Sequence, residues 1–282
     1  MPIAVVTDST AYLPADLAAR HHITVVPLTV SVSGRSGQEG TDITPADVAR
    51  ALSTRGEQVT TSRPGSEQFT RIYRELLDAG AEGVVSVHLA AGLSGTVDAA
   101  TVAAAGFGDR VTVVDAGSAA MGVGFPAIAA ASAAASGQDQ AGVRAAALAA
   151  VARTSTLFYV DTLEHLRRGG RVGAASALLG TALAVKPILD VTGGQVRVRE
   201  KVRTAGRALN RLVDLAVEAA GEGEADVAVH HLAAAARAEQ VAAAMRAGLG
   251  DRLRSLLVSE VGAVVGAHVG PGLAGVVVHR VA

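Results

Sequence analysis

Three short segments of this chain carry side chains suited to holding an oxyanion. They read Thr-Ser-Arg-Pro at positions 61–64, Leu-Ser-Gly-Thr at 93–96 and Gly-Ala-His-Val-Gly-Pro-Gly at 266–272. Each combines hydroxyl or imidazole groups with glycine or proline, the residues typical of turns. Together they offer neutral hydrogen-bond donors for a phosphate or a carboxylate.

The segment at 93–96 follows a predicted strand and opens a predicted helix. The start of a helix presents unpaired N–H groups and the positive end of the helix dipole, so it attracts anions. Ser94, Gly95 and Thr96 are therefore candidate ligand-binding residues. Ser94 is equally suited to cap the helix. A serine-hydrolase elbow would require glycine where Thr96 stands.

The other two segments have the same two interpretations. Thr61 and Ser62 precede a stiff corner at Pro64 and are either aimed at a ligand or part of an ordinary capped loop. His268 is predicted in a glycine-rich loop before the last strand. There it would either donate to an oxyanion or act as a base, or simply occupy a tight turn.

Three further charged residues are candidates for function. Arg171 follows two glycines beyond a predicted helix end, where capping does not explain it, so it is a candidate for binding a phosphate or an acidic partner. Asp8 and Asp115 follow predicted strands and either take part in acid–base chemistry or shape their loops. No histidine pair has metal-binding spacing and no Walker motif is present. We therefore predict neither a metal nor a nucleotide cofactor.

The composition limits the class of protein. Half of the 282 residues are hydrophobic and 18% are charged, as in a globular protein. A net charge of -1 gives no general attraction to nucleic acid or to an anionic membrane. The chain has no cysteine, and its Ala-rich stretch at 118–136 is interrupted by polar residues, Gly and Pro126, which indicates a buried helix. We predict a cytoplasmic monomer without stable membrane insertion.

The hydrophobic pattern predicts an α/β fold in two domains. Residues 1–155 alternate buried strand runs with helices, which indicates a mostly parallel sheet with crossover helices. The run at 23–32 is predicted to be a single strand. Residues 156–282 indicate an α+β domain with a largely antiparallel sheet, including a hairpin around Gly193 and Gly194. Ligands of parallel sheets bind at the carboxyl ends of the strands.

Taken together, six motifs resemble the DegV family in kind and order. They are Thr-Asp-Ser-Thr at 7–10, the motifs at 61–64 and 93–96, Leu-Arg-Arg-Gly-Gly-Arg at 166–171, Lys-Pro-Ile-Leu at 186–189 and the motif at 266–272. The resemblance covers essentially the whole chain. It departs from the family at Arg63, where glutamine is more common, and at 88–91, where serines are common. That family includes the fatty acid-binding subunits of bacterial fatty acid kinase.

The resemblance implies how this chain would work. One long-chain fatty acid would lie between the two domains, with its carboxylate held by the hydroxyls of Thr61 and Ser94 and the imidazole of His268. A separate ATP-dependent kinase subunit would phosphorylate that carboxylate, and the acyl phosphate would feed phospholipid synthesis. Arg171 matches a family arginine associated with engagement of the kinase. The chain itself would be a carrier and not an enzyme.

Two alternatives remain open from the residues themselves. A serine hydrolase would use Ser94, His268 and Asp8, although Asp8 precedes both and the elbow glycine is missing. A sugar- or phosphate-binding module would use the same oxyanion cradle in a polar cleft. The length and unsaturation of an acyl chain depend on the shape of the tunnel and cannot be read from the sequence.

Overall fold

The computed structural model describes residues 3–178 and 185–281, which form three β-sheets. The elements of the first part are, in chain order, β1 (Ile3–Asp8), α1 (Ala15–Arg20), β2 (Ile23–Val26), β3 (Thr29–Val32), β4 (Arg35–Gln38), α2 (Pro45–Ser53), β5 (Val59–Ser62), α3 (Ser66–Asp78), β6 (Gly83–His88), α4 (Thr96–Ala104), β7 (Val111–Asp115), α5 (Met121–Ala135) and α6 (Gln140–Ala152).

The second part of the chain builds the largest sheet. Its elements are β8 (Thr154–Tyr159), α7 (Glu164–Arg168), β9 (Lys186–Thr192), β10 (Gln195–Val202), α8 (Ala205–Ala220), β11 (Ala225–His231), α9 (Ala235–Leu249), β12 (Leu253–Glu260), α10 (Ala263–Val269) and β13 (Ala274–Arg280).

A four-stranded parallel sheet organises the first part. Its strand order is β2-β1-β6-β7, and all residues of β1 and β6 are buried. Strands covered on both faces read as continuous apolar runs, which is why the sequence predicted them. The α/β fold class and the parallel sheet are confirmed. The carboxyl ends of β1, β6 and β7 place Asp8, His88 and Asp115 at one edge.

The prediction of a single strand over 23–32 is wrong. β2 ends at Val26, and Thr29 begins β3, which pairs antiparallel with β4 and β5 in a separate three-stranded sheet. Pro27 separates the two strands. Since proline has no N–H to donate to a ladder, the chain leaves the parallel sheet there. This small sheet carries Thr61 and Ser62 at the end of β5.

The six-stranded sheet has the order β10-β9-β8-β13-β11-β12. Only the β11–β12 pairing is parallel, so the largely antiparallel prediction is confirmed. A two-residue turn joins β9 to β10 with positive φ at Gly193 (60°) and Gly194 (72°), as a type I′ turn requires. The hairpin tip reaches the first part of the chain, where a Cβ on Gly92 would overlap the Gly194 carbonyl.

Helix α5 lies between the parallel sheet and the six-stranded sheet. Val123 and Ala127 pack against the parallel sheet, whereas Met121 and Phe125 pack against β11 and β13. A helix apolar on all sides is expected in such a position. Helices α8 and α9 cover the opposite face of the six-stranded sheet. Across the described ranges, no helix combines the length and the apolar character needed to cross a bilayer.

The proposed domain boundary after residue 155 falls inside β8, which begins at Thr154. All strands of the six-stranded sheet come from residue 154 onward. The division into two domains stays a proposal, with its natural position just before Thr154.

Candidate functional site

A cavity of about 340 Å³ lies where the parallel sheet, the six-stranded sheet and α10 meet. Volumes of roughly 300–1,000 Å³ are usual for small-molecule sites. Most of its wall is aliphatic and comes from both parts of the chain. The aliphatic residues include Leu28, Leu89, Leu93, Leu166, Val191, Val196, Val261, Val264, Val265, Val269, Leu273, Val276 and Val277. Such a wall suits an alkyl chain better than a sugar.

A second cavity of about 520 Å³ adjoins the first and shares Thr156, Leu157 and Val191 with it. Its remaining wall includes several hydroxyl and charged groups. None of the predicted ligand-binding residues lines it. We therefore take the smaller, more apolar cavity as the candidate site.

The predicted polar residues meet in the wall of the first cavity. Those that line it are Thr61, Ser62, Ser94, Gly95, His268 and Arg171. Thr96 differs, because it is fully buried and does not line the cavity. Its hydroxyl group lies 2.9 Å from that of Ser94 and is hydrogen-bonded to it. Thr96 thus helps to hold the Ser94 side chain in place without lining the cavity itself.

His268 and Thr61, which are 207 residues apart in sequence, are hydrogen-bonded to each other. Thr61 Oγ1 lies 2.9 Å from His268 Nε2. The prediction that His268 lies in a loop is wrong, because it occupies the last turn of α10. Gly266 is an ordinary helical residue, and the helix ends only at Gly270, which has a φ of 75°. The helix fixes the imidazole more firmly than a loop would.

The surroundings of His268 keep its imidazole neutral. Burial, with a smaller contribution from the charge of Arg171, lowers the pKa of His268 to about 4. Nδ1 is buried and has no hydrogen-bond partner among the described residues. A Cβ on Gly169 would overlap this nitrogen, so glycine is needed there to make room for the ring. A neutral imidazole retains one N–H for a ligand oxygen.

The first turn of α4 adds backbone donors beside Ser94. Gly95 is the N-cap residue, and among the described residues no side-chain cap hydrogen bond is made to the turn that follows. Ser94 is thus not the cap, which was one interpretation of the sequence. The first N–H groups of a helix have no partner within it, so they are available to an anion.

Two arginines hold the loop that carries Ser94. Arg63 donates to the Gly95 carbonyl and Arg171 Nε donates to the Leu93 carbonyl, each at 2.9 Å. Both side chains line the cavity. The sequence marked Arg63 only as a departure from the family pattern and did not indicate this contact. Its place directly after Ser62 was the available signal.

Asp8 and Asp115 shape loops and do not face the cavity. Asp8 is fully buried and hydrogen-bonds His88 Nδ1 at 2.9 Å and the Thr10 N–H at 3.0 Å. Asp115 accepts from the Gly117 N–H at 2.7 Å. Because Asp8 is bound to His88, the carboxylate, imidazole and hydroxyl of the hydrolase alternative are not assembled around His268.

The structure contains a hydrogen-bonded series of hydroxyl, imidazole and carboxylate groups that the sequence did not predict. His88 Nε2 lies 2.6 Å from the hydroxyl of Ser86, which also accepts a hydrogen bond from Tyr73 at 2.9 Å. Asp8 completes the series on the other ring nitrogen. All four side chains are fully buried, so no substrate can reach them.

Within the described ranges, no group of three or more histidine or acidic side chains is placed to hold a metal ion. The hydrogen bonds of the site come instead from hydroxyl, imidazole, guanidinium and backbone groups.

Comparison with known proteins identifies the family. A family model described as "Uncharacterised protein, DegV family" matches residues 2–281. A DegV domain-containing protein of Streptomyces coelicolor is 54% identical over 279 residues, covering 98% of each chain. One from Mycobacterium tuberculosis is 41% identical over 278 residues, covering 99% of this chain and 97% of its own.

Solved structures of similar fold agree. A DegV family protein of Thermus thermophilus, described as binding fatty acid, has a TM-score of 0.92 and 36% identity over the whole of both chains. DegV of Bacillus subtilis, described as a fatty acid binding protein, has a TM-score of 0.89 and 30% identity, also over both whole chains.

Proposed function

Because this chain belongs to the DegV family, we propose that it binds one long-chain fatty acid in the cavity between the two larger sheets. The observation that carries this proposal is the joining of an aliphatic wall to a cluster of neutral hydrogen-bond donors in one cavity. Its relatives of known structure that are described as fatty acid-binding proteins support it.

The alkyl tail would supply most of the affinity. Burial of each methylene contributes about 0.8 kcal/mol, so a tail of roughly fourteen methylenes gains on the order of 11 kcal/mol before the costs of association. The leucine and valine side chains of the wall would replace water around it.

The carboxylate would set the orientation of the ligand. An unpaired carboxylate in an apolar cavity is costly, so it requires donors. Thr61, Ser94 and the neutral imidazole of His268 supply them, with Ser62 and the backbone at Gly95 alongside. The two arginines donate to backbone carbonyls of the loop that carries Ser94, and their charges lie at the same end of the cavity. A carboxylate held in this way keeps more nucleophilic character than one in a tight ion pair.

We further propose that the protein is a carrier that presents this carboxylate to a separate fatty acid kinase, as the family resemblance implies. The acyl phosphate would then enter phospholipid synthesis. Arg171, half-buried at the cavity, would take part in productive engagement of that kinase. Action as a cytoplasmic monomer stays a prediction from the sequence.

Native mass spectrometry of gently purified protein tests the binding proposal. We expect an added mass in the fatty acid range, removed by delipidation and restored by added fatty acid. Protein that remains free of ligand in the presence of excess fatty acid would refute it.

A coupled assay tests the presentation proposal. Arg171→Ala should reduce kinase-dependent acyl phosphate formation more than fatty acid affinity. Arg168→Ala is the matched control, since this exposed arginine pairs with Glu164 on its own helix. Equal losses of turnover and affinity in Arg171→Ala would argue against a docking role.

A further inference from the structure

Glu39 is a buried acidic residue that the proposed site does not use, with 7% of its surface exposed. Its Oε1 accepts a hydrogen bond at 2.7 Å from the N–H of Val264, which lies 225 residues later in the chain. Val264 belongs to the first turn of α10, whose N-cap residue Gly262 has no side chain to satisfy that donor. A Cβ on Gly262 would overlap the Glu39 carboxyl group. Glu39 therefore caps α10 from a distant part of the chain.

Two hydroxyl groups complete the contact. Tyr12 donates to Glu39 Oε1 at 3.1 Å and accepts from the Val265 N–H at 3.0 Å. The hydroxyl of Ser9 hydrogen-bonds Glu39 Oε2 and accepts from the Leu28 N–H at 3.1 Å. The carboxyl group thus joins the end of β1, the β2–β3 connection and α10, and all its direct partners are neutral.

Helix α10 brings several residues to the cavity at once. Val264, Val265, His268 and Val269 all line it. A shift of this helix would move the imidazole and part of the aliphatic wall together. We infer that Glu39 is a positioning residue, which keeps α10 docked and thereby sets how long a fatty acid stays bound. This inference rests on the proposed function.

The protonation of Glu39 gives the inference a distinctive signature. Burial raises the pKa of Glu39, outweighing the hydrogen bonds from Ser9, Val264 and Tyr12 that lower it; the charge of Asp8 raises it further. Tyr12 and Asp8 are the titratable groups acting on it, and no residue in the first turn of α10 titrates.

Protonation of Glu39 favours the docked helix. A protonated carboxyl still accepts at Oε1 and can donate from Oε2 to the Ser9 hydroxyl. Because the docked state has the higher pKa, docking is strongest at low pH and weakens as pH rises through that pKa. Glutamine has the shape and the donor pattern of the protonated form.

The test is the dissociation rate of a fluorescent long-chain fatty acid from the full chain, measured across a pH series. At low pH, Glu39→Ala should release it about tenfold faster than the wild type, as expected for a lost helix cap, and this difference should narrow as pH rises. Glu39→Gln should release it slowly at every pH, whereas the wild type should release it faster as pH rises. Asp139→Asn is the control. Asp139 caps α6 by accepting a hydrogen bond from the Gly142 N–H at 2.8 Å, and it does not line the cavity.

Two results would overturn the inference: a wild-type rate in Glu39→Ala at low pH, or the same pH dependence in Glu39→Gln and wild type. If Glu39→Ala does not fold, Tyr12→Phe decides, because it removes one hydroxyl from the same contact. It should release the probe faster than wild type, and an unchanged rate would overturn the inference. A wild-type protein that does not bind the probe would refute the proposed function instead.

Discussion

His88 and His268 carry the same side chain in two very different settings. Both nitrogens of His88 are hydrogen-bonded, to Asp8 and to Ser86, and all three side chains are fully buried. His268 bonds Thr61 through one nitrogen only and faces a cavity. A histidine with every hydrogen bond made and no access serves the fold. His268 lines the cavity together with its partner Thr61, which is the arrangement that the proposed ligand contact requires.

The contrast between the two histidines also shows why a hydrogen-bonded series of the right residue types is insufficient for catalysis. Asp8, His88 and Ser86 have the carboxylate–imidazole–hydroxyl order of a hydrolase triad. With no exposed surface on any of them, they cannot meet a substrate. Access, and not residue type, separates the two regions.

The largest effect should follow from His88→Ala. Removal of the imidazole leaves the Asp8 carboxyl and the Ser86 hydroxyl buried without this partner, which should cost about 3–5 kcal/mol of unfolding free energy. Urea denaturation would measure the loss, with His21→Ala as a control near the surface. A folded protein of unchanged stability but reduced fatty acid affinity would reverse the roles assigned to the two histidines.

Gly169→Ala should come next, and should act on binding. Gly169 has an ordinary φ of -74°, so alanine is sterically acceptable to the backbone, but its Cβ would overlap His268 Nδ1. Overpacking of this kind costs about 1–3 kcal/mol. Fatty acid titration should show weaker binding, while Gly206→Ala, with open space around its Cβ, should bind normally. Normal binding by Gly169→Ala would mean that the position of the ring is unimportant.

The pH dependence of stability gives a contrast that is smaller per pH unit. Since the pKa of His268 is lowered to about 4, the unfolded state binds more protons than the folded state between there and the ordinary value of 6.5. Stability should therefore fall with falling pH, by about 1.4 kcal/mol per pH unit for this group within the window. His268→Gln should show a shallower slope in denaturation curves. Identical slopes would show that the ring is not held neutral by burial.

Thr61→Val and Ser94→Ala should have the smallest effects. Each removes one of the neutral hydrogen bonds proposed for the carboxylate and keeps the local shape, so affinity should fall by about 0.5–1.5 kcal/mol. Thermal melts should remain close to wild type, because neither hydroxyl holds the core together. Unchanged calorimetric affinity in both variants would remove these hydroxyls from the proposed head-group contact.

The parts of the fold that follow from local pattern were predictable. Continuous apolar runs gave β1 and β6, and Gly193 with Gly194 gave the hairpin turn. The division of the run at 23–32 could not be predicted with the same ease, because Pro27 stands within an otherwise β-branched stretch. The effect of Pro27 depends on which sheet each half of the run joins, and that is set by the tertiary structure.

The candidate site was predictable in its residue types and not in its arrangement. The pairing of Thr61 with His268 spans 207 residues, and no periodicity in either segment indicates it. Asp8 looked like a catalytic acid because a sequence pattern cannot show that His88 is its partner. The capping of α10 by Glu39 could not be predicted either, because the two are brought together only by the tertiary structure.

The contact between the β9–β10 turn and Gly92 has a practical consequence for protein engineering. Since the backbone of Gly194 leaves no room there, a reporter inserted at this turn would push on the loop that carries Ser94. Gly137, in the turn between α5 and α6, has a φ of 81°, and no atom lies within 4 Å of the position that a Cβ would take there. A fluorescent module spliced in at that second turn would leave the cavity intact, and it is the better starting point for a sensor.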